Sequence, residues 1–373
     1  MLLTERANIV VIGGGLIGLS IAAKLSERSK GIFVLEKNSK AGQETSSRNS
    51  GVIHSGIHYP RGSLKATLSV RGNELLYDLC SKYRIPHKKL GKLTVAIGEK
   101  EIAEIERLKK QGEENGVPGL KMLEGEEAKE LEPNLHSDRA LLSPTSGIVE
   151  ASELVNYYQS RISLNGAFVS TSTEVVGISM KKTGYELICR DVGGEFNLIA
   201  DIVINAAGLN SDKIAAMAGL DIDRLGYRLH YCKGDYFRIH GSPPIKHLVY
   251  PVPKGAGLGI HATPDFSGSV KIGPNAYYVD ELDYRVTTNV EDFRAAVGRY
   301  LPVVLHMNIQ EDSSGIRPKL QGPSDSFRDF VISEEADEGF PGFINLIGIE
   351  SPGLTAIPAI ADLVSDIYLE KLK

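Results

Sequence analysis

Ile9-Val10-Val11-Ile12-Gly13-Gly14-Gly15-Leu16-Ile17-Gly18 is the stretch whose reading decides the fold. A β-branched apolar run stops at a glycine cluster, and residues 19–29 then carry helical spacing. Gly13, Gly15 and Gly18 satisfy G-x-G-x-x-G in the strand–turn–helix setting that gives the motif its meaning. The glycines allow a tight turn, close backbone approach to a diphosphate, and close packing of helix on strand. The diphosphate of such a ligand lies at a helix N-terminus, where exposed N–H groups and the helix dipole favour negative charge. Residues 31–35 read as the next strand and lead into Glu36. Its carboxylate is placed to accept both ribose hydroxyls of an adenosine and would repel a 2′-phosphate. These residues predict an adenine-dinucleotide site at the start of a parallel α/β domain.

A chain of 373 residues is long enough to split into two domains, and 42% hydrophobic with 24% charged residues is ordinary globular composition. Disorder and fibrous repeats are excluded on that ground. The net charge of -5 supplies no basic footprint for nucleic acid, so an acidic substrate would need a local cationic pocket. Cys80, Cys189 and Cys232 are odd in number and lack C-x-x-C spacing, which predicts reduced thiols and a cytoplasmic setting. The first eight residues carry Glu5 and Arg6 and run into the first strand, so no secretory leader is expected. No run of about 18 apolar residues exists to cross a membrane, which leaves room for peripheral contact with the inner membrane. No metal site is expected.

Further along, the polar stretch 38–51 and residues 52–60 read as a long loop with clustered His and Arg, and 64–83 as an amphipathic helix. Residues 91–97 read as a strand that opens a second domain. The charged segment 99–131 has helical spacing up to Glu132-Pro133 and is expected to be a solvated face without chemistry. Short strands are expected at 140–144 and 147–149, a helix at 151–165, and strands at 167–170, 174–181, 185–190 and 196–200. A further strand, 201–208, ends in Ala206-Ala207-Gly208, small residues against which a bulky group can lie. Residues 225–273 predict an antiparallel sheet with turns at 241–244, 253–255 and 267–268. Gly255, Gly257 and Gly259 echo the first fingerprint, but with prolines around them and no helix after them they read as a hairpin. A helix at 211–218, another at 290–300 and a strand at 342–347 precede a final helix that opens near Ser351-Pro352-Gly353. The N–H groups at that helix start could stabilise negative charge on a reduced isoalloxazine.

Seven segments together carry a resemblance. They are Ile12-Gly13-Gly14-Gly15, Asn49-Ser50-Gly51-Val52-Ile53-His54-Ser55-Gly56, Ser63-Leu64-Lys65-Ala66, Asn205-Ala206-Ala207-Gly208, Tyr250-Pro251-Val252-Pro253, Gly315-Ile316-Arg317-Pro318-Lys319, and Gly348 through Thr355. On them the chain resembles the FAD-dependent oxidoreductases of the D-amino-acid-oxidase superfamily, and within it the L-2-hydroxyglutarate dehydrogenases and their relatives. The likeness spans nearly the whole chain. The Asn-Ser-Gly-Val-Ile-His segment is particular to that subgroup, whereas the first fingerprint is shared widely. The chain departs from the family pattern at Arg48, where characterised members carry His, and in the wording of its C-terminal turn.

The resemblance implies a two-domain α/β (α+β) fold: a Rossmann-like FAD-binding domain, discontinuous over 1–85, 140–224 and 312–373, and a mostly antiparallel β substrate domain over 86–139 and 225–311. It implies FAD, held by Gly13, Gly15, Leu16, Ile17, Gly18, Glu36, Lys37, Thr45, Ser46, Arg48, Asn49, Ser50, Gly51, Val52, Val175, Ala206, Ala207, Gly208, Gly315, Arg317, Glu350, Ser351, Pro352, Gly353, Leu354 and Thr355. The activity it implies is oxidation of a small anionic 2-hydroxy acid, with a quinone, another flavoprotein or oxygen as electron acceptor.

Such an oxidation needs the carboxylates held by cations, the Cα–H aimed at flavin N5, and a base for the hydroxyl proton. Arg317 can supply a bidentate fork for a carboxylate. His54 is the expected base, with a structural imidazole and a covalent flavin link as its rival readings, and His261 is the second candidate. Tyr250 and Lys233 are expected to bind the distal carboxylate, and Arg48 to place a fixed charge near the same pocket. Two other readings stay open: an amine or amino-acid oxidase on the same scaffold, and an FAD-binding protein without turnover.

Overall fold

In the computed structural model, which describes residues 5–240, 245–253 and 257–372, the chain divides into two units. The first holds the chain up to Ser47, Ala151–His230, and everything from Arg317 onward; the second holds Arg48–Glu150 and Tyr231–Ile316.

The first unit is built on the β-branched run that opens the chain. Strand Glu5–Ile12 lies between Ile32–Leu35 and Gly194–Asn205 and is parallel to both. Phe168–Ser170 and Phe343–Ile347 extend the parallel set on its two sides. Ile9, Val10 and Val11 are buried on both faces, as strands of a covered parallel sheet must be. Helix Leu16–Ser26 is apolar nearly all round because it contacts both Ala151–Leu164 and Gly353–Lys371. Where the sequence reads two strands at 196–200 and 201–208, there is one continuous strand, Gly194–Asn205. Its first half pairs antiparallel with Tyr185–Asp191 and keeps one face wet, while its second half enters the parallel sheet and is buried on both. The change in hydrophobic pattern marks that change of environment, not a break in the strand.

The second unit is a sheet whose strands run in the order Tyr277–Val279, His230–Ile239, Val270–Ile272, Ala262–Pro264, Leu248–Pro251, Lys92–Ala96, Arg139–Ser143 and Lys121–Glu124. All neighbours are antiparallel except Leu248–Pro251, which runs parallel to Lys92–Ala96 with Leu248 opposite Lys92. Phe237, Phe293, Val249 and Ile272 lie in one of its cores. Helix Leu64–Tyr83 matches its expected span and is capped by Ser63, whose hydroxyl accepts from the Ala66 N–H at 3.1 Å.

The charged segment 99–131 is two helices, Glu99–Glu114 and Gly125–Leu131, with strand Lys121–Glu124 between them. Asn115-Gly116-Val117-Pro118-Gly119 interrupts the helical period that the charges suggest. The unit boundaries also fall elsewhere than the sequence-drawn ones: residues 48–85, 140–150 and 312–316 group with the second unit, and 225–230 with the first. Val52–Ile53 pairs with Gly147–Val149, and Ile57 and Val70 pack with Ala96, Leu108 and Leu141, which ties 48–85 to the second core. The expected turn at 241–244 lies outside the described residues, as do 254 and 255 of the next one. The strands flanking that second turn, Leu248–Pro251 and Ala262–Pro264, pair antiparallel, and no helix follows Gly259. Among the described residues no helix is long and apolar enough to cross a membrane, no metal-binding cluster occurs, and all three cysteines are buried and unbridged.

Candidate active site and cofactor cradle

In the first unit the glycine cluster turns between strand Glu5–Ile12 and helix Leu16–Ser26. Gly13 has φ +112°, and a Cβ there would lie 2.4 Å from the Ala206 carbonyl oxygen. A Cβ on Gly18 would lie 2.0 Å from the Gly13 carbonyl oxygen. Both contacts are with backbone, which cannot give way, so these positions admit only glycine. A Cβ on Gly15 would meet one side-chain atom, Ser46 Oγ, at a tight 3.1 Å, and no backbone. Ser46 Oγ accepts from the Leu16 N–H at 2.9 Å, which places a hydroxyl at the helix mouth. Ile17 follows in the first turn of the helix.

Glu36 follows strand Ile32–Leu35 and is only 7% exposed. Its Oε2 accepts from the Gly14 N–H and its Oε1 from the Asn38 N–H, each at 2.8 Å. Both oxygens are thus fixed, and each keeps lone-pair capacity for one hydroxyl of a ribose diol. Lys37 instead leans on Glu44, with 3.9 Å between the charges, and Thr45 is half-buried nearby in sequence. Val175 is in the apolar core with Ile12 and Leu35. Ala206 donates its N–H to the Ile12 carbonyl at 2.9 Å, which brings Ala206-Ala207-Gly208 beside the glycine turn.

The C-terminal turn of the same unit is anchored by a buried ion pair, Lys319 Nζ to Glu350 Oε1 at 2.8 Å. Ser351 and Pro352 precede helix Gly353–Lys371, whose first turn holds Leu354 and the fully buried Thr355. Arg317 is half-buried, two residues before Lys319 on strand Ile309–Lys319. An open helix N-terminus, a fixed ribose acceptor and a glycine turn without side chains fit the diphosphate and adenosine of FAD.

In the second unit, Arg48 stacks its guanidinium 4.1 Å over the Tyr284 ring and points Nη1 at the Ser314 carbonyl, while the Arg48 carbonyl oxygen lies against Gly315. Asn49 Oδ1 accepts from the Gly51 N–H at 2.7 Å, which sets the turn through Ser50 into strand Val52–Ile53. The loop that follows is held by side-chain amides. Asn73 donates to the His54 carbonyl at 2.9 Å, Gln111 to that of Ile57 at 2.8 Å, and Asn115 to those of Gly56 at 3.0 Å and Tyr59 at 2.9 Å. The segment 99–131 therefore does carry a task, because Gln111 and Asn115 fix the histidine loop from its first helix.

Inside that loop four ring and amine groups converge. His58 Nε2 lies 2.9 Å from Lys92 Nζ, Lys92 Nζ lies 4.9 Å from the Tyr250 ring centre, and Tyr250 stacks on His261 at 3.8 Å between centroids. His54 and His261 are close enough to His58 to depress its proton affinity. His261 Nδ1 lies 3.0 Å from the Gly259 carbonyl. A carbonyl only accepts, so Nδ1 carries the proton and Nε2 is the basic nitrogen of the neutral ring. Burial pulls the Lys92 ammonium down to about 7, and burial with the Lys92 charge pushes His58 well below the ordinary histidine range. Lys233, expected to bind substrate, donates to the Arg285 carbonyl at 2.5 Å.

The sequence reading picks out His54, Tyr250 and His261 and leaves Lys92 and His58 unassigned. A signal for Lys92 was present: it is a lysine inside an apolar strand, Lys92–Ala96, in which all five residues are buried.

A dinucleotide cradle on a parallel sheet and a buried imidazole cluster on a largely antiparallel one define a redox flavoprotein. The chain belongs to the FAD dependent oxidoreductase family (DAO), whose model matches residues 8–367. It is similar to the mitochondrial L-2-hydroxyglutarate dehydrogenase of Arabidopsis thaliana, with 41% identity over 98% of this chain and 84% of that protein. It is also similar to a glycerol 3-phosphate dehydrogenase of Caloramator mitchellensis, with 32% identity over 96% of this chain and 73% of that one. Among solved structures, the dithionite-reduced L-α-glycerophosphate oxidase from Mycoplasma pneumoniae with FAD bound superposes with a TM-score of 0.86 at 26% identity, covering 99% of this chain and 96% of that one. The protein is an FAD-dependent oxidoreductase of mixed α/β two-domain fold.

Proposed function

We propose that the protein oxidises L-2-hydroxyglutarate or a close 2-hydroxy acid to the 2-oxo acid. The observation that carries this reading is the 41% identity to the Arabidopsis enzyme, which extends over 98% of the chain. Bound FAD supplies the two-electron acceptor for the Cα hydride. The chain's own residues handle the proton. His54 sits on a loop whose carbonyls are pinned by Asn73, Gln111 and Asn115, so its backbone is held in one loop conformation. His261 has its Nδ1 proton committed to the Gly259 carbonyl and so offers Nε2 as a base. We assign removal of the hydroxyl proton to His54, with His261 second, and carboxylate binding to Arg317.

The likeness to glycerol 3-phosphate enzymes favours a second reading, in which a phosphate replaces a carboxylate. Anaerobic mixing of FAD-loaded enzyme with L-2-hydroxyglutarate, glycerol 3-phosphate and glycine, followed by flavin bleaching near 450 nm, separates the readings. Fastest bleaching by L-2-hydroxyglutarate is expected. Bleaching by glycerol 3-phosphate or glycine alone would overturn the assignment.

A further inference from the structure

Lys92 is fully buried in the middle of a sheet. Among the described residues it has no carboxylate partner, and its hydrogen bond is to His58 Nε2. A buried cation without a counter-ion is costly, and apolar strands seldom keep one without a use for it. An ammonium only donates, so while Lys92 is charged His58 Nε2 accepts and the His58 ring stays neutral, with its proton on Nδ1. On its other side Lys92 faces the Tyr250 ring, which stacks at 11° on His261. The charge thus lies one ring away from His261 and beside His58, which His54 also influences.

We propose that Lys92 is a positioning residue whose ammonium, set against His58 Nε2 and the Tyr250 ring, keeps the neighbouring imidazoles neutral and basic. The proposal rests on the reading that His54 or His261 accepts the hydroxyl proton. The titratable groups around Lys92 and its partner His58 are His54 from the loop, Arg107 from helix Glu99–Glu114, and Tyr250 and His261 from the sheet. Arg139, on the strand beside Lys92–Ala96, is already tied to Glu106 and Glu124. Lys92 titrates near 7, below which its charge is present. Protonation of a second group then works against that charge across a poorly screened interior.

The test is Lys92→Met, which keeps the bulk and removes the charge, in the full FAD-loaded enzyme. Histidine ring signals are followed by NMR from about pH 5 to 9, and the pH profile of anaerobic flavin reduction is recorded alongside. The variant should raise the titration of at least one imidazole, and the acid limb of the rate, by about one pH unit. Histidine titrations that superimpose on those of the parent overturn the proposal. If the ring titrations move and the rate limb does not, Lys92 acts as proposed and the assignment of the base is what fails. Should the variant lose FAD, the parent decides alone. A lysine Nζ signal that titrates near 7 ahead of the imidazoles supports the proposal, and imidazoles that protonate first overturn it.

Discussion

Replacing Glu36 with Gln changes one oxygen to an NH2 group and leaves the volume intact, so the effect is confined to hydrogen bonding. The carboxylate now receives two backbone N–H groups, from Gly14 and Asn38, one on each oxygen at 2.8 Å. A carboxamide can accept only one of them in that geometry and must turn its own donors toward the other. One buried N–H then loses its partner, which costs the apoprotein about 1–3 kcal/mol. The ribose diol loses as well, because a charge-assisted acceptor is about twice as strong as a neutral one and one of its two acceptors has become a donor. A loss of about 1.5–3 kcal/mol in FAD binding is expected, or a dissociation constant raised roughly tenfold to a hundredfold or more. Titrating apoprotein with FAD and following flavin fluorescence measures it, with thermal melting of the apoprotein as the separate stability readout. The flavin-reduction rate at saturating FAD should keep the parent's value, since the defect is one of occupancy. An FAD affinity within about twofold of the parent would refute the assignment of Glu36 to the ribose.

His54→Ala should slow flavin reduction at saturating substrate by about 10²- to 10⁴-fold, the range for a lost general base, and an unchanged rate between about pH 6 and 9 would move that role to His261. Arg317→Ala should raise the KM for a 2-hydroxy acid about ten- to a hundredfold with kcat little changed, as loss of a charged carboxylate partner predicts; an unchanged KM would remove Arg317 from substrate binding. Lys319→Met takes the cation from the buried Glu350 and should lower stability by about 3–5 kcal/mol near neutral pH. That deficit should shrink as pH falls, because a carboxyl without its cation has a raised folded-state pKa and becomes neutral at low pH. Melting curves at two pH values check it, and a melting temperature equal to the parent's would show that the pair carries no such role.

The elements that the sequence makes legible are those in which one physical signal decides. The run Ile9–Ile12 could only be a buried strand, and the three glycines after it could only be a turn pressed against backbone, as the contacts at Gly13 and Gly18 demonstrate. Helix Leu64–Tyr83 matches its expected span, with Ser63 capping its start, although its buried face includes Lys65, Ser69 and Asn73 beside Leu68, Leu76 and Cys80. Strand Gly194–Asn205 was misread as two because period and burial change along its length while the backbone does not. The helix Glu99–Glu114 was read as solvated because charge dominates its composition, yet the two amides that hold the histidine loop, Gln111 and Asn115, are neutral and sit at its C-terminal end. Its average polarity carried no trace of them.

Lys92 shows why a site can be half legible. Hydrophobic patterning assigns a face by its neighbours, and Leu93, Val95 and Ala96 are enough to bury the strand whatever stands at its first position. A lysine carried into the interior by that pattern does not snorkel outward here, since Lys92 is wholly buried. It must then find a partner inside or give up its proton, and the partner it meets is an imidazole, not a carboxylate. A carboxylate there would have offset the charge and removed its part in lowering His58, leaving burial as the main cause. An imidazole leaves the pair short of one proton near neutrality, which is the condition under which neighbouring rings remain bases.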